Sequence, residues 1–237
     1  MSNLLGKTWR FLKKLFLYLF IFHLIYLILL KWIDPPVTIT QLTSWVSGNG
    51  LKRDYVNNDE MSANIKLAVI SAEDQLFPDH NGFDWKSIEK AMAYNKRKPG
   101  RIRGASTISQ QVAKNVFLWQ GRSWLRKALE VYFTFMIELL WSKERILEMY
   151  LNVAETGKGV FGVEAAARTY FKKPAAKLSR AEAAMLAASL PNPKRYTVKP
   201  LSRFVALKYP WVLQQMNNLE GDVDVLKVIQ PEKTKKK

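Results

Sequence analysis

The strongest feature of the hydrophobic pattern is an unbroken apolar and aromatic run from Leu15 to Leu30, with His23 its only polar member. Extended by Phe11-Leu12 and Trp32-Ile33, it reaches the ~20 residues a helix needs to cross a bilayer. It is apolar all round rather than along one face, unlike an ordinary core helix. Lys13, Lys14 and Lys31 stand at its ends, where long side chains reach the interface. Lys7, Arg10, Lys13 and Lys14 precede it without an acid, which predicts an N-terminus in the cytoplasm and the rest of the chain outside. Lys31-Trp32-Ile33-Asp34-Pro35-Pro36 follows the run in place of a small-residue cleavage site, so residues 15–33 read as an uncleaved anchor behind a basic flank at 1–14.

After Asp34-Pro35-Pro36 the pattern changes to short helical periods, and residues 34–61 read as a linker. Ser62 can cap a helix over roughly residues 63–76, with Ile65, Ala68, Val69 and Ala72 as its apolar face. Asp84 can cap a second, to about Tyr94. Ser106 reads as the cap of a third, on which Thr107, Gln111 and Lys114 share a polar face. Ser123 can open a long helix to about Trp141, with Arg126 and Glu130 one turn apart. Val131, Phe133, Phe135, Ile137, Leu139 and Leu140 make its later turns apolar almost all round, which predicts deep burial with Glu130 at the polar mouth. Further helices are expected from Ser142 to Asn152, over Val163–Phe171, from the capping box Ser179-Arg180-Ala181-Glu182 to Pro191, and over 201–218. Gly157, Gly159 and Gly162 read as a loop and residues 221–237 as a basic tail. With little strand signal, the outer domain, residues 62–220, is expected to be mainly α.

Charge sharpens this picture. The 237 residues carry 37 Lys and Arg against 20 Asp and Glu, a formal charge of +17. Such an excess implies an anionic partner: nucleic acid, a membrane surface or a phosphorylated substrate. The predicted orientation places these cations outside the cell and argues against nucleic acid. With no cysteine and two histidines, thiolate zinc and multi-histidine metal sites are excluded.

The candidate chemistry centres on Glu73 to Asp84. Here Glu73 and Asp74 fall at the end of a buried helix, beside a turn broken by Pro78 and Gly82. Apolar surroundings raise a carboxyl pKa, which suits a general base; a solvated helix end is the bland alternative. His80 reads as a turn-stabilising residue that positions Glu73. The segment Lys96 to Gly104, five of whose nine residues are basic, is either a solvated loop or an anion-facing flap. The hydroxyl, amide and ammonium face of Thr107, Gln111 and Lys114 would suit a phosphate or sugar, or simply solvent. Glu130 is either one half of an ion pair with Arg126 or a carboxylate fixed among cations, with Arg122 at the preceding glycine turn. Ser87-Ile88-Glu89-Lys90 matches Ser-x-x-Lys, but no Lys-Thr-Gly follows, so no transpeptidase is expected.

Five stretches, in order across roughly residues 63–193, carry a resemblance. They are Glu73–Gly82, Gly104–Asn115, Arg126–Glu130, Lys143–Asn152, and Arg180-Ala181-Glu182 through Leu190-Pro191-Asn192-Pro193. Together they resemble the motifs of the peptidoglycan glycosyltransferases, more closely the monofunctional ones than the bifunctional penicillin-binding proteins. Ala105 and Leu129 depart from the commoner glycine and lysine. The resemblance implies a lysozyme-like, two-lobed helical fold with a membrane-apposed smaller lobe. It also implies polymerisation of lipid II into β-1,4 glycan strands with release of undecaprenyl diphosphate. Carried over, Glu73 is the base and Glu130 the second carboxylate on the leaving side. Lys114, Arg122 and Arg126 neutralise the diphosphate, and Ser106, Thr107, Gln111 and Asn115 line the donor site. Asp74, Phe77 and His80 join the substrate-binding set. No cofactor is required, a divalent cation (Mg or Mn) being the one candidate. The partners implied are lipid II, the growing lipid-linked glycan, the membrane and other cell-wall synthesis proteins, at the bacterial inner membrane with the catalytic domain on its periplasmic side. A lysozyme-like enzyme that cleaves peptidoglycan is the alternative, and a membrane-anchored envelope scaffold a rival of another class.

Overall fold

The computed structural model of the chain describes residues 2–98, 100, 103–121 and 123–230, residues 2–5 by their backbone alone. In chain order the elements are α1 (Ser2–Leu29), α2 (Ile39–Val46), β1 (Lys52–Arg53), α3 (Ala63–Glu73), α4 (Trp85–Arg97), α5 (Ile108–Phe117), α6 (Trp124–Leu140) and α7 (Lys143–Val153). There follow β2 (Glu155–Gly157), β3 (Val160–Phe161), α8 (Val163–Ala166), α9 (Arg180–Ser189), α10 (Arg203–Leu219) and α11 (Val223–Ile229). The expected mainly helical class is what the chain adopts.

The chain forms two units, Met1–Pro35 and Pro36–Lys237. Within the first, Gly6–Leu29 is long and apolar enough to cross a membrane. The second is built from two groups of helices. In one, α3, α9 and α10 pack on one another. Ala183, Ala184, Ala187 and Ala188 are buried on α9, and their small side chains let α3 and α10 approach closely. In the other, α5 packs on α6 and α7.

Caps explain most boundaries. Ser62, Asp84, Ser123, Ser142, Ser179 and Ser202 each accept a hydrogen bond from a backbone N–H in the first turn of the helix that follows. At α5 the cap is Thr107, not Ser106. Thr107 Oγ1 accepts from Gln110 N while Gln110 Oε1 accepts from Thr107 N. Only Thr107 has a glutamine at the third helical position to close that reciprocal box. The first outer helix stops at Glu73 rather than near residue 76, because Asp74 is extended (φ −160°).

Three expectations are corrected. The segment 34–61 is more than a linker: Thr38 and Gln41 form a capping box that starts α2, and Gln120 Nε2 donates to Thr40 Oγ1 at 2.8 Å. The glycine loop is a β2–β3 hairpin, and β1 pairs parallel with β3 to give the order β1-β3-β2. Gly159 turns it at φ +68°, where an added Cβ would lie 2.1 Å from Asn49 O. The basic tail is helical over α11, whose Val225, Val228 and Ile229 are buried, and the buried Lys66 ammonium donates to Ile229 O at 3.2 Å. Residues 231–237 lie outside the described residues.

Helix α6 also departs from expectation. Glu130, Thr134 and Ile137 are its buried line, whereas Val131, Phe135 and Leu139 are 44%, 59% and 66% exposed. Against α5 and α7 it can cover only one face, and the apolar stripe lies on another.

Candidate active site

The base candidate is placed by a turn with little freedom. Glu73 ends α3, and Asp74 leaves the helix with its carboxylate turned inward. Both Asp74 oxygens lie 3.0 Å from His80 Nε2, and Oδ2 also accepts from Ile108 N at 3.0 Å. Ile108 opens α5, so Asp74 satisfies one of that helix's unpaired amides and ties the two helices together. His80 Nδ1 accepts from Gly82 N at 3.1 Å, which leaves Nε2 as the nitrogen that donates to Asp74. Thr107 Oγ1 donates to Gly82 O at 2.7 Å, and the Lys143 ammonium donates to His80 O. An added Cβ at Gly82 (φ +85°) would lie 2.7 Å from Thr134 Cγ2, so this turn needs glycine twice over.

Glu73 opens onto a cleft of about 790 Å³ whose lining also includes Ser106, Gln111, Lys208 and Trp211. Gln111 Nε2 donates to Glu73 Oε2 at 2.7 Å, and Gln111 Oε1 accepts from Tyr150 OH at 3.3 Å. The carboxylate touches the cleft, but protein surrounds most of it. Burial therefore pushes its pKa above 4.5, Asp74 adds to the rise, and Gln111, Lys208 and Lys114 oppose it. The Lys208 ammonium sits 3.3 Å from the centroid of the Trp211 ring.

Glu130 has a different setting. Its Oε2 takes Arg126 Nη1 at 2.6 Å and its Oε1 takes Lys127 Nζ at 2.5 Å. Arg126 Nε is buried, with no hydrogen-bond partner among the described residues. Burial lowers the Lys114 pKa; Glu130 and then Glu73 act to raise it, while Arg126 and Lys127 lower it further. Lys114 therefore stands within electrostatic reach of both carboxylates, and its ammonium has no hydrogen bond or ion pair among the described residues. Three cations against one carboxylate, with a spare N–H, suit an added anion such as a diphosphate. Each Glu130 oxygen already accepts from one of these cations. Among the described residues no three acid or histidine side chains converge on a possible metal position.

Of the expected site residues, Glu73, Asp74, Ser106, Thr107 and Gln111 line the cleft, whereas Lys114, Asn115, Arg126 and Glu130 do not. Arg122 lies outside the described residues. Phe77 does not fit its expected substrate contact: it is fully buried, with the Lys143 ammonium 4.6 Å from its ring centroid. The side chains of Asp74, His80 and Thr107 are occupied within the turn, as His80 was expected to be. Sequence reading passed over Lys208 and Trp211 on the cleft wall, and Lys127 beside Glu130, whereas Arg103, from the basic segment read as a loop or an anion-facing flap, does line the cleft. Lys208 and Trp211 lie beyond the five motifs, but Lys127 adjoins Arg126 and was legible. Ser87 and Lys90 also line the cleft.

Comparison with known proteins agrees with this geometry. A family model described as transglycosylase matches residues 39–217. Proteins named biosynthetic peptidoglycan transglycosylase from Shigella boydii serotype 4 (strain Sb227) and Escherichia coli (strain K12 / DH10B) are each 58% identical over 185 residues, covering 77% of this chain and 76% of the relative. The matched segment takes in α2 and almost all of α10, in keeping with their packing in the domain. With a buried carboxylate at a cleft, a cation cluster near it and a match over most of its length, the chain belongs to the transglycosylase family.

Proposed function

We propose that this protein polymerises lipid II into linear β-1,4 glycan strands of peptidoglycan and releases undecaprenyl diphosphate. Glu73 accepts the proton of the acceptor sugar's 4-hydroxyl. The oxygen attacks the anomeric carbon of the donor, and the bond to the diphosphate breaks with its electron pair on the leaving group. Such a leaving group needs charge stabilisation more than a proton, and Lys114, Arg126 and Arg122 supply it. Glu130 holds Arg126 and Lys127 in place. Ser106, Gln111 and Asn115 serve the donor sugar.

The single observation that carries this reading is Glu73 itself. It is a cleft-facing carboxylate with a raised pKa, fixed by one amide, within electrostatic reach of an ammonium that has no partner among the described residues. The apolar stripe of α6, with Trp124 at 92% exposure, would rest in the outer leaflet, where the polyprenyl chains lie. We place the anchor in the bacterial inner membrane with the domain outside it, so that enzyme and lipid-linked substrate share one surface. Other cell-wall synthesis proteins would meet it there.

The test is polymerisation of lipid II by wild type and Glu73→Gln, with and without divalent cation. Polymer from wild type alone supports the reading. Degradation of preformed glycan without polymer would favour the hydrolase.

A further inference from the structure

Tyr150 lies on α7, fully enclosed, and does not itself line the cleft, but its hydroxyl reaches Gln111, which does. Its hydroxyl meets one end of the Gln111 amide at 3.3 Å, and the other end of that amide meets Glu73 at 2.7 Å. Three helices thus contribute one link each: α7 the phenol, α5 the amide and α3 the carboxylate. We propose that Tyr150 is a positioning residue for the base, its hydroxyl fixing the Gln111 amide so that the NH2, and not the carbonyl, faces Glu73. This rests on the reading of Glu73 as the base.

The chemistry makes the order of the links matter. An amide can meet a carboxylate with a donor or with an acceptor. The donor stabilises the anion, whereas the acceptor repels it and lifts the pKa further. A hydroxyl on the far side that donates to the carbonyl reinforces the first arrangement, which the ionised carboxylate, an acceptor only, already favours. Burial, with Glu73 and Asp74 nearby, holds the phenol well above 10, so it keeps its proton throughout the range in which Glu73 titrates. The other charges facing Glu73 are Asp74 beside it in the chain, Lys114 on α5 and Lys208 on α10. None of them hydrogen-bonds the far end of the amide, where Tyr150 is the side-chain partner among the described residues.

The test is kcat/KM for lipid II polymerisation against pH, using the full chain. The proteins are wild type, Tyr150→Phe, Gln111→Leu, the double variant, and Glu73→Gln as control. Tyr150→Phe keeps the ring and removes only the link. Its acid limb should move to higher pH, with a loss of about three- to tenfold below the limb and much less on the plateau. Gln111→Leu should move the limb at least as far, and adding Tyr150→Phe to it should move it no further. A loss of equal factor at every pH, or an independent shift in the double variant, would reduce Tyr150 to packing and overturn the proposal. So would an unmoved limb in Gln111→Leu, which stands as the second variant if Tyr150→Phe folds poorly. Turnover retained by Glu73→Gln would bring down the base assignment and the relay with it. An inactive Glu73→Gln beside a Tyr150→Phe profile that superimposes on wild type would bring down the relay alone.

Discussion

Glu73 and Glu130 are the same side chain in opposite settings. Glu73 meets one neutral amide, has an acid beside it in the chain and feels its cations only from a distance. Glu130 is gripped by Arg126 and Lys127, one on each oxygen. A carboxylate left without close cations gains proton affinity from burial, which a base needs. One saturated with cations becomes a clamp that holds those cations in place. The contrast shows how a chain with a large cationic excess keeps one acid fit to take a proton: the excess is directed to the other acid. One cannot exchange the two roles without moving Arg126 and Lys127.

The predictions follow from that contrast. The largest effect is expected at the base: Glu73→Gln should lower the polymerisation rate by about 10²–10⁴-fold, read as lipid II turnover. Lys114→Ala, which removes an ammonium within reach of both acids, should lower kcat/KM by roughly 10- to 100-fold. Unchanged kinetics would remove it from the diphosphate site. Glu130→Gln should cost about 1–3 kcal/mol of stability in a denaturant or thermal unfolding series, because it leaves Arg126 and Lys127 crowded without their anion. The smallest effect has the opposite sign. The folded-state pKa of Glu73 is raised, so ionising it opposes folding, and Glu73→Gln should lift Tm by roughly 1–4 °C at neutral pH. That gain should fade as pH falls through the raised folded-state pKa and vanish below the unfolded-state one, where Glu73 is protonated in both states. If both Glu→Gln variants shifted Tm in the same direction, the contrast would be broken.

Much of this was legible beforehand, for physical reasons. Serine and aspartate caps fixed the starts of α3, α4, α6, α7 and α9, since an unpaired first-turn amide selects those side chains. The ion pair of Arg126 with Glu130 followed from helical spacing. What was missed divides in two. Thr38-x-x-Gln41 and Thr107-x-x-Gln110 are capping boxes present in the sequence, and weighing the third helical position would have placed both starts. The parallel pairing of β1 with β3 joins residues more than a hundred apart, and two-residue strands leave no alternation to read. Lys208 and Trp211 reach the cleft only because α10 packs on α3, which nothing local encodes. The exposed stripe of α6 read as core because periodicity reports an apolar face without saying whether protein or lipid covers it.

Glu73 can serve as the base only if it holds its proton more tightly than an ordinary glutamate while open to the cleft. The most direct test is a titration of its carboxyl in the membrane-reconstituted full chain, taken as the wild type minus Glu73→Gln difference in the carboxyl infrared or 13C signal. A midpoint above the ordinary 4.5 that coincides with the acid limb of polymerisation is the predicted result. A midpoint at or below that value, or a limb set by some other group, would contradict it.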